Sequence, residues 1–289
     1  MLGNFLIGLR EGLEAAVIVS ILVAYLVKAG RRDVLPRVWA GVTAAVAVSL
    51  AFGALLTYGP RGLTWEAQEA IGGTLSIVAV AFVTWMIFWM AGASRTLSRQ
   101  LRDRVDVALD AGKWSLAAVA ALAVGREGLE TALFLWAATN AATSDGAGAT
   151  DPLVGAALGI AVAVGIGYLM YRGAVTINLG AFFRWTGAFL IVIAGGVLAY
   201  GVHDLQEAGI VGGLNDLLFD VSAQVPPGSW YGTLLKGIFN FSPQTTEREA
   251  AAWLGYVVIV GAAFWWKLSR AHRPARADRT VSHMEEPIS

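Results

Sequence analysis

The chain of 289 residues has no cysteine. That removes disulfides, thiolate metal sites and cysteine nucleophiles together, and leaves the redox compartment open. Histidine is almost as scarce: His203, His272 and His283 stand far apart and make no metal-ligand spacing, which argues against an imidazole-rich membrane oxidase. Charge is thin and balanced, with 15% Asp, Glu, Lys and Arg and a formal net charge of zero, so no global field points to nucleic acid. The start, Met-Leu-Gly-Asn-Phe, lacks the basic region of a cleavable secretory signal and is expected to be retained.

What is present in quantity is apolar side chain, 56% of the residues, too much for a soluble surface to cover. Runs of about the 20 residues that a bilayer requires lie near Leu2 to Val27, Val38 to Tyr58, Ala67 to Ala91, Leu116 to Ala138, Leu153 to Tyr171, Phe182 to Val202 and Ala250 to Trp266. The expected fold is therefore an all-α integral membrane protein of seven transmembrane helices.

Basic residues cluster in alternate connections: Lys28, Arg31, Arg32 and Arg37; Arg95, Arg99, Arg102, Arg104 and Lys113; Arg172 and Arg184; Lys267, Arg270, Arg273, Arg276 and Arg279. By the positive-inside rule the N-terminus is expected outside and the C-terminus in the cytoplasm, as an odd number of spans requires. Indoles fall near helix ends at headgroup depth, Trp39, Trp114, Trp185, Trp265 and Trp266 inside and Trp65, Trp136 and Trp253 outside. The Gly/Ala/Ser/Thr-rich stretch Thr139 to Pro152 reads as a flexible outer loop. A long outer segment, 206–249, holds two partly apolar stretches, Ile210 to Val221 and Trp230 to Phe241, suited to the interface or to covering an outer mouth. The last helix is expected at 250–269, and the polar tail 271–289 as a disordered cytoplasmic end.

The most informative feature is a repeat. Leu-Arg-Glu-Gly-Leu-Glu-Ala-Ala at residues 9 to 16 returns as Gly-Arg-Glu-Gly-Leu-Glu-Thr-Ala at 125 to 132. The copies lie in the first and fourth helices, and an odd helix offset makes the halves antiparallel across the bilayer. This predicts an inverted-topology repeat, about 1–92 and 113–205, with one extra helix. Each copy sinks three ionisable groups into a span, at a nominal 2.5 to 3.5 kcal/mol apiece, roughly 8 to 10 kcal/mol per helix. Arg10 with Glu14, and Arg126 with Glu130, are i and i+4 and pair along the helix; Glu11 with Glu14, and Glu127 with Glu130, face one side.

Four carboxylates and two guanidiniums leave about two negative charges, which a buried site holds more readily around a divalent or trivalent cation. Carboxylate-only ligation selects hard ions, iron, manganese, magnesium or calcium, and by itself does not choose among them. Outer acidic groups, Glu66 and Glu69 at the mouth of the third helix and His203, Asp204 and Glu207 ending the sixth, are candidate ligand collectors, or ordinary hydrated helix ends.

At these residues the chain resembles the iron permease family, which takes in fungal high-affinity iron permeases and bacterial ferrous iron permeases of the EfeU type. The resemblance covers about residues 1 to 270. Its Arg-Glu-x-x-Glu signature stands twice without departure, which implies that Glu11, Glu14, Glu127 and Glu130 handle iron while Arg10 and Arg126 set their charge. Weaker echoes are Glu69, the Trp85 to Met90 stretch, Thr186-Gly187 and His203-Asp204-Leu205-Gln206-Glu207. The bacterial type implies a plasma-membrane permease, iron as substrate with no cofactor, and separate extracytoplasmic partners: an iron-binding protein and a haem peroxidase. Two other classes stay open: a carboxylate di-iron membrane oxidase, whose bundles usually carry Glu-x-x-His, and a structural membrane scaffold.

Overall fold

The structure, a computed structural model, describes residues 2–93, 114–143, 150–174, 178–226 and 241–271, with positions 107, 108, 112, 229, 232, 235 and 236. Its long helices are α1 (Leu2–Lys28), α2 (Leu35–Tyr58), α3 (Trp65–Ala93), α4 (Ser115–Thr143), α5 (Thr150–Tyr171), α6 (Leu179–Glu207) and α7 (Glu247–Ala271). At 27 residues, α1 is roughly 40 Å long, enough for a bilayer.

Local chemistry sets the boundaries. Helix α1 stops where Gly30 takes φ of 74°, open to glycine without strain, and the Arg31 N–H returns to the Leu26 carbonyl. Pro36 then stands in the first turn of α2, where its missing N–H costs nothing. Asn178 caps α6 by accepting from the Ala181 N–H at 3.0 Å, and Gly209, φ 72°, closes its far end.

Five helices, α2, α3, α5, α6 and α7, are apolar enough throughout to cross a membrane. Helices α1 and α4 are as long, but each carries mid-helix the three ionisable groups of its motif. Helix α1 instead buries much of its surface, including Gly8, Leu13 and Val17, among other helices.

Packing follows small residues. Helix α1 runs parallel to α5: a Cβ on Gly8 would sit 2.6 Å from the Ala156 carbonyl oxygen, one on Gly12 2.9 Å from the Ala163 Cβ, and one on Gly167 2.6 Å from the Ala16 Cβ. Helix α2 runs parallel to α4 by the same means, Gly41 on Ala117, Gly125 on Ala45, Gly128 on Ser49. Helices α3 and α6 cross closely where Gly73 meets the Gly201 carbonyl, α7 lies along α6, and α1 packs against α4. Bare glycine faces let van der Waals contact hold helices together where lipid leaves no hydrophobic drive. The main core, with Met86, Ile87, Phe134, Ala137, Leu190 and Ile191, fills the space between α3, α4 and α6.

Two expectations are corrected. Trp136 is buried in that core, since α3 and α6 close over its face of α4, whereas Trp65, Trp114, Trp185 and Trp265 are exposed at helix ends. The described residues of the stretch from Thr139 to Pro152 are helical: α4 runs to Thr143, and Asp151 and Pro152 stand in the first turn of α5, where an acid and a proline suit the helix N-terminus. In the segment 206–249, β1 (Leu217–Asp220) pairs antiparallel with β2 (Gln244–Thr246). Most of the Trp230 to Phe241 stretch, residues 144–149, the basic residues Arg95 to Arg104 and Lys113, and residues 272–289 of the tail lie outside the described residues.

Candidate metal centre

The two motifs meet. Helix α1 presents Arg10, Glu11 and Glu14, and α4 presents Arg126, Glu127 and Glu130. One carboxylate oxygen each from Glu11, Glu14 and Glu127 lie within 4.8 Å of one another, all three residues buried. Glu11 is nine residues into α1, roughly 13 Å from its start, so the cluster sits near mid-span. The glycine inside each motif seats a further helix against it, Gly12 receiving α5 and Gly128 receiving α2.

The arginines divide the charge unequally. Arg10 is enclosed, its Nη1 3.5 Å from Glu11 Oε1 and its Nε 3.5 Å from Glu14 Oε1, with its guanidinium carbon 6.0 Å from the Phe183 ring. At those separations the pairs are ionic contacts without good hydrogen bonds. Arg126 donates from Nε to Glu130 Oε1 at 2.9 Å and stands 4.0 Å from Glu127 Oε1. Of the four motif glutamates, Glu130 alone is drawn into a directed pair, outside the three-carboxylate group.

Both oxygens of Glu11, one of Glu14, one of Glu127 and one of Glu130 are buried without a hydrogen-bond partner. Buried polar atoms are ordinarily satisfied, and unpaired ones cost roughly 1–3 kcal/mol each, more when charged. Acceptor oxygens that converge with only the Arg10 guanidinium beside them, at ionic and not hydrogen-bond distance, suit a cation. The set offers carboxylate oxygen and no imidazole or sulfur, a hard-ion site.

A second polar group lies at the end of the bundle where α1 begins. Asp204 on α6 accepts from the Tyr200 hydroxyl and faces Glu69 of α3. Gly72 and Gly73 let α3 come this close; a Cβ on Gly72 would lie 3.1 Å from Asp204 Oδ2. His203 Nε2 is 3.3 Å from Glu207, and its Nδ1 is 2.9 Å from Glu249 Oε1. Glu66 does not join them: it is exposed on the first turn of α3.

Glu249, buried in the first turn of α7, was not foreseen, having no partner near in sequence; neither was Tyr200. Its one clue is that α7 must start at the end where α6 stops. Between the two polar groups lies an apolar cavity of about 20 Å³, room for about one water, with Glu11 at its edge and Val80, Val83, Phe134, Leu190 and Val197 in its walls.

The family model described as "Iron permease FTR1 family" matches residues 1–272. The chain belongs to the iron permease family. Relatives within it are "Ferrous iron permease EfeU" of Shigella sonnei (strain Ss046), 39% identical over 281 residues, 96% of this chain and 98% of that protein. The protein of the same name from Escherichia coli O6:H1 is 39% identical over 263 residues, 90% of this chain and 94% of its own length. That of Yersinia pestis is 35% identical over 257 residues, 88% and 89%. No solved structure matches the chain. Permease membership points to a multi-pass membrane transporter with iron as substrate, rather than an enzyme.

Proposed function

We propose that this permease imports iron through a path between α1 and α4, and that Glu11, Glu14 and Glu127 form its mid-membrane binding site with Glu130 beside them. The observation that carries this reading is the convergence of three buried carboxylates from both motif copies, with oxygens that have no hydrogen-bond partner among the described residues. Counting Arg10 and the Arg126–Glu130 pair, the group keeps about two negative charges, matched to a ferrous ion.

The path begins at Glu69, Asp204, Glu207 and His203, which gather cations from water. It continues through the apolar neck, where a hydrated ion is delayed, to the buried carboxylates. The outer strands and the mouth stand on the extracytoplasmic side, with the N-terminus outside, the C-terminus cytoplasmic and seven helices spanning. Extracytoplasmic supply, by an iron-binding protein and a haem peroxidase, fits a mouth on that side.

An inverted repeat of α1–α3 and α4–α6 is supported by the pairing of helices. Exchanging α1 with α4, α2 with α5 and α3 with α6 turns the α1–α5 contact into α4–α2 and leaves α1–α4 and α3–α6 unchanged, and all four pairings are present. Both motif glycines obey the same exchange. A di-iron oxidase is disfavoured by the chemistry of the group, since no histidine stands among its ligands.

Radio-iron uptake into proteoliposomes, offered ferrous or ferric iron with and without a proton gradient, tests the activity. Uptake that exceeds protein-free vesicles and falls in glutamate-substituted variants is expected; equal uptake by both would overturn the reading. Reporters fused after Arg270 and within residues 144–148 should read cytoplasmic and extracytoplasmic, and the opposite pair would reverse the orientation.

A further inference from the structure

The two motif arginines live in different surroundings. Arg10 is shut in between two carboxylates at equal distance, its side chain 1% exposed. The Arg126 side chain is 37% exposed and lies over two indoles of α3, its guanidinium carbon 4.6 Å from the Trp89 ring centre and 5.7 Å from that of Trp85. The rings are themselves stacked, 6.4 Å apart and inclined by 25°, making one continuous aromatic face. One turn of helix separates them, so α3 alone holds the face in register.

Glu130 is the motif glutamate that the three-carboxylate group lacks, and Arg126 is what holds it aside. Its second oxygen is buried and unpartnered, as is Arg126 Nη2. For Glu130 to complete a four-carboxylate site it must release Arg126, and Glu127, at 4.0 Å, turns to the same ion. The guanidinium would then lose both carboxylates near mid-span, where an uncompensated Arg is costly. An indole face is the strongest aromatic partner for such a cation, and it does not compete for iron.

We propose that Trp85 and Trp89 are positioning residues that hold Arg126 when Glu130 leaves it for the ion, so that the aromatic pair sets how readily the fourth carboxylate joins the site. This rests on the transport reading above. Arg126 is thereby a built-in competitor of the cation: it rests on the indoles throughout, paired with Glu130 as well while the site is empty and held by the indoles alone while it is filled. Arg10, with one phenyl ring at 6.0 Å and no exposed flank, stays paired throughout.

The test is ferrous iron binding to purified protein at equilibrium, together with uptake into proteoliposomes, for Trp89→Leu, Trp89→Phe, Trp85→Leu and Arg126→Gln. Trp89→Leu should weaken iron binding and raise the uptake KM by about 5-fold, the factor set by the roughly 1 kcal/mol by which the cation–π attraction strengthens once the carboxylates leave the guanidinium. Trp85→Leu, which removes the farther ring, should do less, and Trp89→Phe should restore most of the loss. In an Arg126→Gln background, Trp89→Leu should add nothing, because no guanidinium is left to hold. Equal losses for the Phe and Leu variants, or an undiminished Trp89→Leu effect in Arg126→Gln protein, would overturn the proposal. If Trp89→Leu does not fold, Trp89→Phe and Trp85→Leu decide: unchanged binding in Trp85→Leu with a loss in Trp89→Phe refutes it. Wild-type protein that neither binds nor takes up iron would refute the transport reading instead.

Discussion

Replacing Glu11 by glutamine should abolish iron uptake and make the empty protein more stable, and the two signs together separate a transport site from a structural knot. Glu11 is buried, neither of its carboxylate oxygens has a hydrogen-bond donor, and its one ionic neighbour, Arg10, keeps Glu14 at 3.5 Å if Glu11 is neutralised. A carboxylate and a divalent cation about 4 Å apart attract by about 8 kcal/mol at an effective dielectric of about 20. Several kcal/mol of that is offset by the cost of keeping the carboxylate dehydrated. A net loss of about 3–4 kcal/mol weakens iron binding by about 10²- to 10³-fold.

In the iron-free protein the balance reverses. The variant removes one of three like charges within 4.8 Å and the burial cost of an unsatisfied carboxylate, about 1–3 kcal/mol. A rise in Tm of about 2 to 10 °C follows. The assay pairs radio-iron uptake with thermal unfolding in metal-free detergent. Were the Arg10–Glu11 pair there as a structural ion pair, breaking it would cost about 3–5 kcal/mol. A marked fall in Tm, or uptake within about threefold of wild type, would therefore refute the reasoning.

Arg10→Lys should reduce uptake at least several-fold while the protein still inserts, because an ammonium cannot span Glu11 and Glu14 as the guanidinium does; full activity by the uptake assay would count against that role. Cysteines replacing Glu11 and Glu127 in this cysteine-free chain should crosslink with a short bifunctional reagent, detected as altered gel mobility, and no crosslink under any condition would place the motifs apart. Beyond the membrane, the Ser222 N–H and hydroxyl, with the Gln244 amide, donate to Asp220 and hold its carboxyl below the ordinary aspartate range. A depressed value stabilises the strand pair above the unfolded aspartate range, about pH 3.9, and that contribution is lost as pH falls through the folded value. Proteolysis of the 215–225 region should accordingly rise in acid, and Asp220→Asn should flatten the dependence.

The membrane class, all the long helices and the motif positions were legible in the sequence alone, because each depends on local pattern. A span needs only its own apolar run, and Arg10 with Glu14 or Arg126 with Glu130 needs only a helical turn. Tertiary structure decided what depends on distance between helices. It brought Glu127 to Glu11 and Glu14 while Arg126 kept Glu130 aside, and it buried Trp136, whose end position suggested a headgroup anchor. It carried Glu249 to His203 across 46 residues, and laid Arg126 on Trp85 and Trp89. Sequence periodicity tells which side chains share a face of one helix; which faces meet is set by where glycines such as Gly12, Gly73 and Gly128 allow two backbones to approach, and that is a property of the assembled bundle.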